Sequence, residues 1–249
     1  MDTLKRHKEI WEDLGKLDPL WAVLTDPAKK HGKWGLEEFF GTGERDIALL
    51  MSATEALGLP AHRDTALDFG CGVGRISRAL AKYFRHCSGV DIAESMIAKA
   101  KELNSDLVNC SFVVNESDNL NQFSSGSFDL VYTHLVLQHL PNQATMKGYI
   151  REFLRLLKPQ GLIVFQLPSS LPNSSRIGLK RRLYHALRAI GISKSFLHHR
   201  LGISPAMTMT YVPEAEMVAF VEAIGSKVLD VKRESWPDGV ESREYFISK

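Results

Sequence analysis

The chain has 249 residues, 44% of them hydrophobic and 24% charged, with a net charge of +2. This balance suits one large globular domain, alone or with an appendage, and gives no overall charge from which to infer a polyanionic partner. Three cysteines, Cys71, Cys87 and Cys110, are odd in number, widely spaced and without a CxxC pair, so a disulfide framework or zinc site is not expected and a reducing cytoplasm is. No apolar run is long enough for a transmembrane helix, and the charged opening MDTLKRHKEIWEDL lacks the apolar core of a secretory signal.

Residues 1–60 read as helical: Trp11 and Leu14 lie at helical spacing, and GERDIALLMSATEALGLP carries an apolar stripe that Gly58 and Pro60 stop. Alternation follows. TALDF, HCSGVDI, VNCSFVV, SFDLVYT and GLIVFQL read as strands; GRISRALAKYF, AESMIAKAKEL and NQATMKGYIREFLRLLK read as helices, the last with Asn142 as N-cap and Pro159 as stop. After a long insertion, EAEMVAFVEAIG is a helix ending at Gly225, and SKVLDVKRE and SREYFISK close the chain as a hairpin. The order predicts an α/β fold: a Rossmann-like, mostly parallel seven-stranded sheet with helices on both faces and an antiparallel C-terminal edge hairpin. The expected division is a helical cap over 1–60 and a main domain over 61–249.

DFGCGVGRIS places Gly70, Gly72 and Gly74 directly after the first strand. Glycine there permits positive φ and close approach of a ligand to backbone, at a point where open α/β sheets bind ligands. The spacing is GxGxG, not the GxGxxG of dinucleotide sites. Asp68, two residues before the first glycine, would repel a pyrophosphate and welcome an ammonium or sulfonium group. Asp91, ending the second strand, is positioned to accept two ribose hydroxyls.

With LDFGCGVGRIS, GVDIAESMI, VVNESDNL, GSFDLVYTHLVLQHL and LLKPQG in this order, the chain resembles the class I S-adenosylmethionine-dependent methyltransferases of the small-molecule type, from about residue 64 to 167. The resemblance implies S-adenosylmethionine as cofactor and S-adenosylhomocysteine as product. It places Asp68, Gly70, Gly72 and Gly74 along the methionine part and ribose, and Asp91 at the ribose hydroxyls. Ile92 and Met96 fall against the adenine, Glu116 and Ser117 at the adenine edge, and Thr133 and Leu135 beside the transferable methyl. Glu116 stands where the family more often has Asp, and Gln160 where it more often has Gly. GSFDLVYTHLVLQHL corresponds to the fourth strand and the helix after it.

Methyl transfer from a sulfonium needs position and a dry pocket, with a general base only for a weakly acidic acceptor. The candidates are His134 and His139. Relatives that hold a metal here use carboxylates at positions occupied by Leu135 and Gln138, so no metal is expected. The fourth strand lacks the Pro-Pro-aromatic run of enzymes that methylate base amines, and the Pro-Cys motif is absent as well.

The insertion 168–212 is read as a substrate cover. No Asp or Glu occurs between Arg155 and Pro213, whereas residues 153–213 hold nine lysines and arginines. RIGLKRRLYHALRAIG fits a basic amphipathic helix that covers a pocket or touches an anionic membrane through 176–191. Trp34, Phe39 and Phe40 are expected to line the acceptor pocket. These features point to a small-molecule acceptor, anionic or lipid-linked, methylated on oxygen. A nucleic-acid acceptor is the less expected alternative and predicts affinity falling steeply with salt; a non-catalytic cofactor-binding protein is another. The oligomeric state has no signal in the sequence.

Overall fold

The computed structural model describes residues 3–172, 179–201, 203 and 209–249, with backbone alone for 179–182 and 185. In chain order the elements are α1 (Thr3–Leu17), α2 (Pro19–Val23), α3 (Leu36–Leu57), β1 (Thr65–Phe69), α4 (Arg75–Leu80), β2 (His86–Asp91), α5 (Glu94–Leu103), β3 (Cys110–Val114), β4 (Phe128–Thr133), α6 (Gln143–Leu156), β5 (Leu157–Ser170), α7 (Leu179–Ala189), α8 (Lys194–Leu201), α9 (Glu214–Ala223), β6 (Lys227–Ser235) and β7 (Glu241–Ser248).

The seven strands run in the order β3-β2-β1-β4-β5-β7-β6. The first five pair in parallel, and β7 is antiparallel to both β5 and β6. The chain builds outward from β1 to β3, then returns to lay β4 on the other side of β1. That reversal opens a crevice beyond the carboxyl ends of β1 and β4.

Both faces of the central strands are buried, and side chains alternate between them with period two. Leu67, Val131, Ile163, Phe165, Tyr245 and Ile247 face a core shared with Tyr149, Ile150 and Phe153 of α6 and Met217 and Val221 of α9. Ala66, Leu130, Tyr132, Leu162, Val164 and Phe246 face the opposite core, with Ile47, Leu50 and Met51 of α3 and Ile76, Ala79 and Leu80 of α4. α3 therefore lies on the sheet, while α1 and α2 pack through Leu14 and Ala22 against Val73 and Met96 beside the glycine loop. Wholly buried rings such as Phe153 and Phe165 each contribute about 2–3 kcal/mol of burial free energy.

Three local expectations differ from the structure. α4 ends at Leu80, and the chain continues in tight turns, with the Lys82 and Tyr83 amides bonded to the Ala79 and Leu80 carbonyls. After β4 there is only a 3-10 turn, Leu137–His139; Asn142 then caps α6, its side-chain oxygen accepting from the Thr145 amide at 2.9 Å. Pro159 follows the end of α6 by three residues and lies inside β5. The pairing of β4 with β5 slips between Phe128 and Leu130, and Gln160 sits at φ 60° in this irregular stretch. A left-handed backbone explains why glycine suits that position better.

Candidate cofactor and acceptor site

The floor of the site is the turn from β1 into α4. Gly70 and Gly72 have φ of 76° and 52°, and Gly74 of 84°. A Cβ on Gly70 would lie 2.4 Å from Cγ2 of Val136, and one on Gly72 2.4 Å from Cγ2 of Val23. These glycines are thus required by the protein's own packing as well as by their backbone angles. Asn104 ties the turn down, its amide donating to the Val73 carbonyl at 3.0 Å.

Two carboxylates flank this turn. Asp68 is buried and accepts from Ser77 Oγ at 2.6 Å; burial raises its pKa to about 6, against the opposing pull of the Ser77 hydrogen bond and the Arg75 charge. Asp91 accepts from the Gly72 and Ala93 amides, each at 2.9 Å, and burial raises its pKa also. Each carboxylate oxygen has a second lone pair, so Asp91 retains acceptor capacity for further hydroxyls.

At the end of β4, Leu135 takes a left-handed φ of 62°, and its amide donates to Gln166 Oε1 at 3.0 Å. Gln166 in turn donates to Ser242 Oγ at 2.7 Å and to Gln138 Oε1 at 3.3 Å, which fixes the turn that carries His139. His134 stacks on Tyr132, ring centroids 6.2 Å apart. Its Nδ1 is buried without a hydrogen-bond partner, and burial, with the Arg75 charge, lowers its pKa to about 4. Arg75, 3% exposed, donates to Asp46 Oδ2 at 2.5 Å and Thr42 Oγ1 at 3.1 Å, while its Nε has no partner.

These groups line one cavity of about 820 Å³. It is closed by Leu4, His7 and Trp11 of α1, by Val23–Thr25 and Pro27, by Met209, and by Trp236–Asp238 in the turn between β6 and β7. Trp11 meets His139 edge to face at 5.6 Å, and burial, with His139 nearby, lowers the pKa of His7 to about 4. Among the residues singled out in the sequence, Asp68, Gly70, Gly72, Asp91, Ile92, Met96, His134, Leu135 and His139 line the cavity. Gly74, Glu116, Ser117 and Thr133 are not in its lining; Glu116 ion-pairs with Lys8 on α1, and the neighbouring Asn115 lines the cavity instead.

Trp34, Phe39 and Phe40 pack on one another, at 5.6 and 5.5 Å between centroids, and in the core beneath α1 rather than along the cavity. The missed residues are Leu4, His7 and Trp11, Arg75, and Trp236–Asp238. Of these, only Arg75, immediately after Gly74, had a signal beside a recognised motif. Of the expected cover, Met209 reaches the cavity; Thr210 and Val212 are tied by their amides to the Gln138 and Pro168 carbonyls at 2.6 and 3.1 Å. Arg176 lies outside the described residues, as do the side chains of Lys180, Arg181 and Arg182.

Residues 67–165 match the family described as "Methyltransferase domain". Residues 67–165 are thus a methyltransferase domain. Among curated proteins, 2-methyl-6-phytyl-1,4-hydroquinone methyltransferase of Synechocystis is 38% identical over 164 residues, 66% of this chain and 50% of that one. Phosphoethanolamine N-methyltransferase 1 of Caenorhabditis elegans is 30% identical over 46% of this chain and 24% of its own length. Tocopherol O-methyltransferase of Arabidopsis thaliana is 34% identical over 64% of this chain and 48% of its own. The chain thus spans half or less of these relatives. In fold it is similar to magnesium protoporphyrin IX methyltransferase of Synechocystis, solved with S-adenosylhomocysteine: TM-score 0.64 over 98% of both chains, at 17% identity.

S-adenosylmethionine is the cofactor of this methyltransferase family. The site fits it: a buried carboxylate, Asp68, able to face a cationic group, and a partly buried one, Asp91, with spare acceptor capacity for hydroxyls, flank a backbone turn in a single cavity. Among the described residues, no helix is long and apolar enough to cross a membrane.

Proposed function

We propose that this protein transfers a methyl group from S-adenosylmethionine to an oxygen of a small, largely apolar acceptor carrying an ionisable hydroxyl. The observation that carries the reading is the continuity of the cavity. One cavity is lined both by Asp68, Gly72 and Asp91 and by the apolar Leu4, Trp11, Leu135, Leu140, Met209 and Trp236, with Arg75 and His134 among its polar groups. Relatives named for hydroquinone, ubiquinone and tocopherol methylation support an acceptor of this kind.

Bound S-adenosylmethionine supplies a methyl group activated on a cationic sulfur. Asp91 receives the ribose hydroxyls, and Asp68 faces the cationic methionine part. Ile92 and Met96 border the adenine, with Glu116 and Ser117 at the rim. Gly70, Gly72 and Gly74 shape the turn, and Leu135 borders the reacting end, with Thr133 buried behind it. α1 and the turn at Trp236 exclude water, so the displacement runs in a dry space. His134, neutral at pH 7, lines the acceptor end as the candidate base, and the Arg75 guanidinium close by favours the acceptor oxygen as its negative charge grows. The hydroxyl proton becomes strongly acidic as the oxygen is alkylated, so an imidazole of low pKa is sufficient to take it. His139, held against Trp11 and Gln138, positions the acceptor.

A lipid-linked acceptor is favoured by a second observation. Leu183 on α7, Ile190 just after it and Phe196 on α8 are 49%, 73% and 49% exposed, on an insertion free of acidic residues. We read these exposed apolar residues as contacts with an anionic membrane, which sedimentation with phosphatidylglycerol vesicles tests.

The test of function is S-adenosylhomocysteine release with hydroquinones and phenols bearing apolar tails. Turnover that depends on the acceptor is expected. Tight S-adenosylhomocysteine binding with no turnover on any hydroxylated ring overturns the acceptor reading.

A further inference from the structure

Away from the cavity, three imidazoles meet where the segment between α2 and α3 touches α8. His31, His198 and His199 each offer one ring nitrogen, and these atoms lie within 4.8 Å of one another. Ring centroids are 5.2 Å apart for His31 and His198, 5.6 Å for His31 and His199, and 4.8 Å for His198 and His199. A buried carboxylate stands beside them: Asp18 Oδ2 is 3.8 Å from His198 Nε2 and accepts from the His31 amide at 2.6 Å and the Gly32 amide at 3.1 Å. Trp21 backs His198 edge-on at 5.9 Å.

We propose that His31, His198 and His199 bind one divalent metal ion of the zinc class, with Asp18 as the neighbouring carboxylate that offsets its charge. Three neutral imidazoles suit zinc, cobalt, nickel or copper and do not suit magnesium or calcium. With metal–nitrogen bonds of about 2.0–2.1 Å, tetrahedral ligand atoms stand about 3.3 Å apart. Each nitrogen therefore needs to move inward by no more than about 1 Å, within the reach of side-chain rotation. His31 and His199 are exposed, so an ion has a route in from solvent. The ion joins a loop of the N-terminal segment to a helix of the insertion, 167 positions further along the chain. Val23, Leu24, Thr25 and Pro27, just before that loop, line the cavity, so the ion would tie a segment that borders it to α8.

The test uses tag-free, full-length protein stripped with EDTA. Zinc chloride is titrated calorimetrically at pH 7.5, and cobalt(II) is followed by visible absorption. One ion per chain is expected, with a rise in melting temperature. His31→Ala and His199→Ala should each weaken binding at least about tenfold, since even loss of an outer-shell partner commonly costs that much. His62→Ala and His86→Ala, at exposed histidines elsewhere, should leave it unchanged. Absence of saturable binding at one ion per chain overturns the proposal. So does binding of equal strength in the His31 and His199 variants.

Discussion

The Asp91 carboxylate accepts the Gly72 amide through one oxygen and the Ala93 amide through the other, both at 2.9 Å. One side chain thus joins the glycine turn after β1 to the start of α5 while facing the cavity. Asp91→Ala should abolish measurable S-adenosylhomocysteine binding by calorimetry. It should also lower stability by about 1–3 kcal/mol, because two amides lose their partner. Intact binding in this variant would remove Asp91 from the cofactor site.

Gly70 is closed to any side chain. Gly70→Ala meets both a left-handed backbone, costing about 1–2 kcal/mol, and the methyl groups of Val136 at 2.4 and 2.5 Å. A total loss of about 2–4 kcal/mol is expected from urea unfolding. Val136→Ala added to it should recover only part, since the clash is relieved and the backbone angle is not. Full recovery would show that φ at this position carries no cost.

Asp68 has its pKa raised to about 6, first by burial. In the unfolded chain the group ionises near pH 4, so the folded state is penalised progressively as pH rises from about 4 through 6. Asp68→Asn should therefore stabilise the ligand-free protein at pH 7.5, by on the order of 2–3 kcal/mol. The same change should weaken binding of the cationic cofactor. Wild-type affinity should fall as pH drops below about 6, and the variant's should not. A variant that binds normally would place Asp68 in a purely structural role.

His134 and His139 should separate kinetically. His134 remains neutral down to about pH 4, so it should produce no inflection in kcat/KM between pH 6 and 8. His134→Ala should lower kcat by about 100-fold while leaving S-adenosylhomocysteine affinity unchanged. His139→Ala should raise the acceptor KM more than it lowers kcat. If cofactor affinity falls in step with kcat in His134→Ala, the residue supports the cofactor and not the acceptor.

The legible half of the cavity is the half built at the ends of β1 and β2. Asp68, Gly70 and Gly72 stand together in one strand-turn-helix stretch, and Asp91 ends the next strand, beside β1 in the sheet, so the alternation of strands and helices was enough to bring them together. The cavity roof had no such local mark. Leu4, His7 and Trp11 and the turn Trp236–Asp238 come from opposite ends of the sequence: α1 is placed by its packing through Leu14 on Val73 and Met96, and the turn by the return of β7 between β5 and β6. The aromatics of HGKWGLEEFF looked like pocket walls, yet Trp34, Phe39 and Phe40 satisfy one another in the core. Glu116 answers Lys8 on α1, a partner 108 positions away that no local pattern announces.

α1, which roofs the cavity with Trp11, is also anchored by charge. Lys8 pairs with Glu94 and Glu116, and Asp13 pairs with Lys194 of α8. Exposed pairs of this kind weaken as ions screen them. Molecules enclosed under that helix therefore have a residence time set partly by ionic strength. Stopped-flow release of S-adenosylhomocysteine should quicken between low and high salt, and more gently once Lys8 is replaced by methionine.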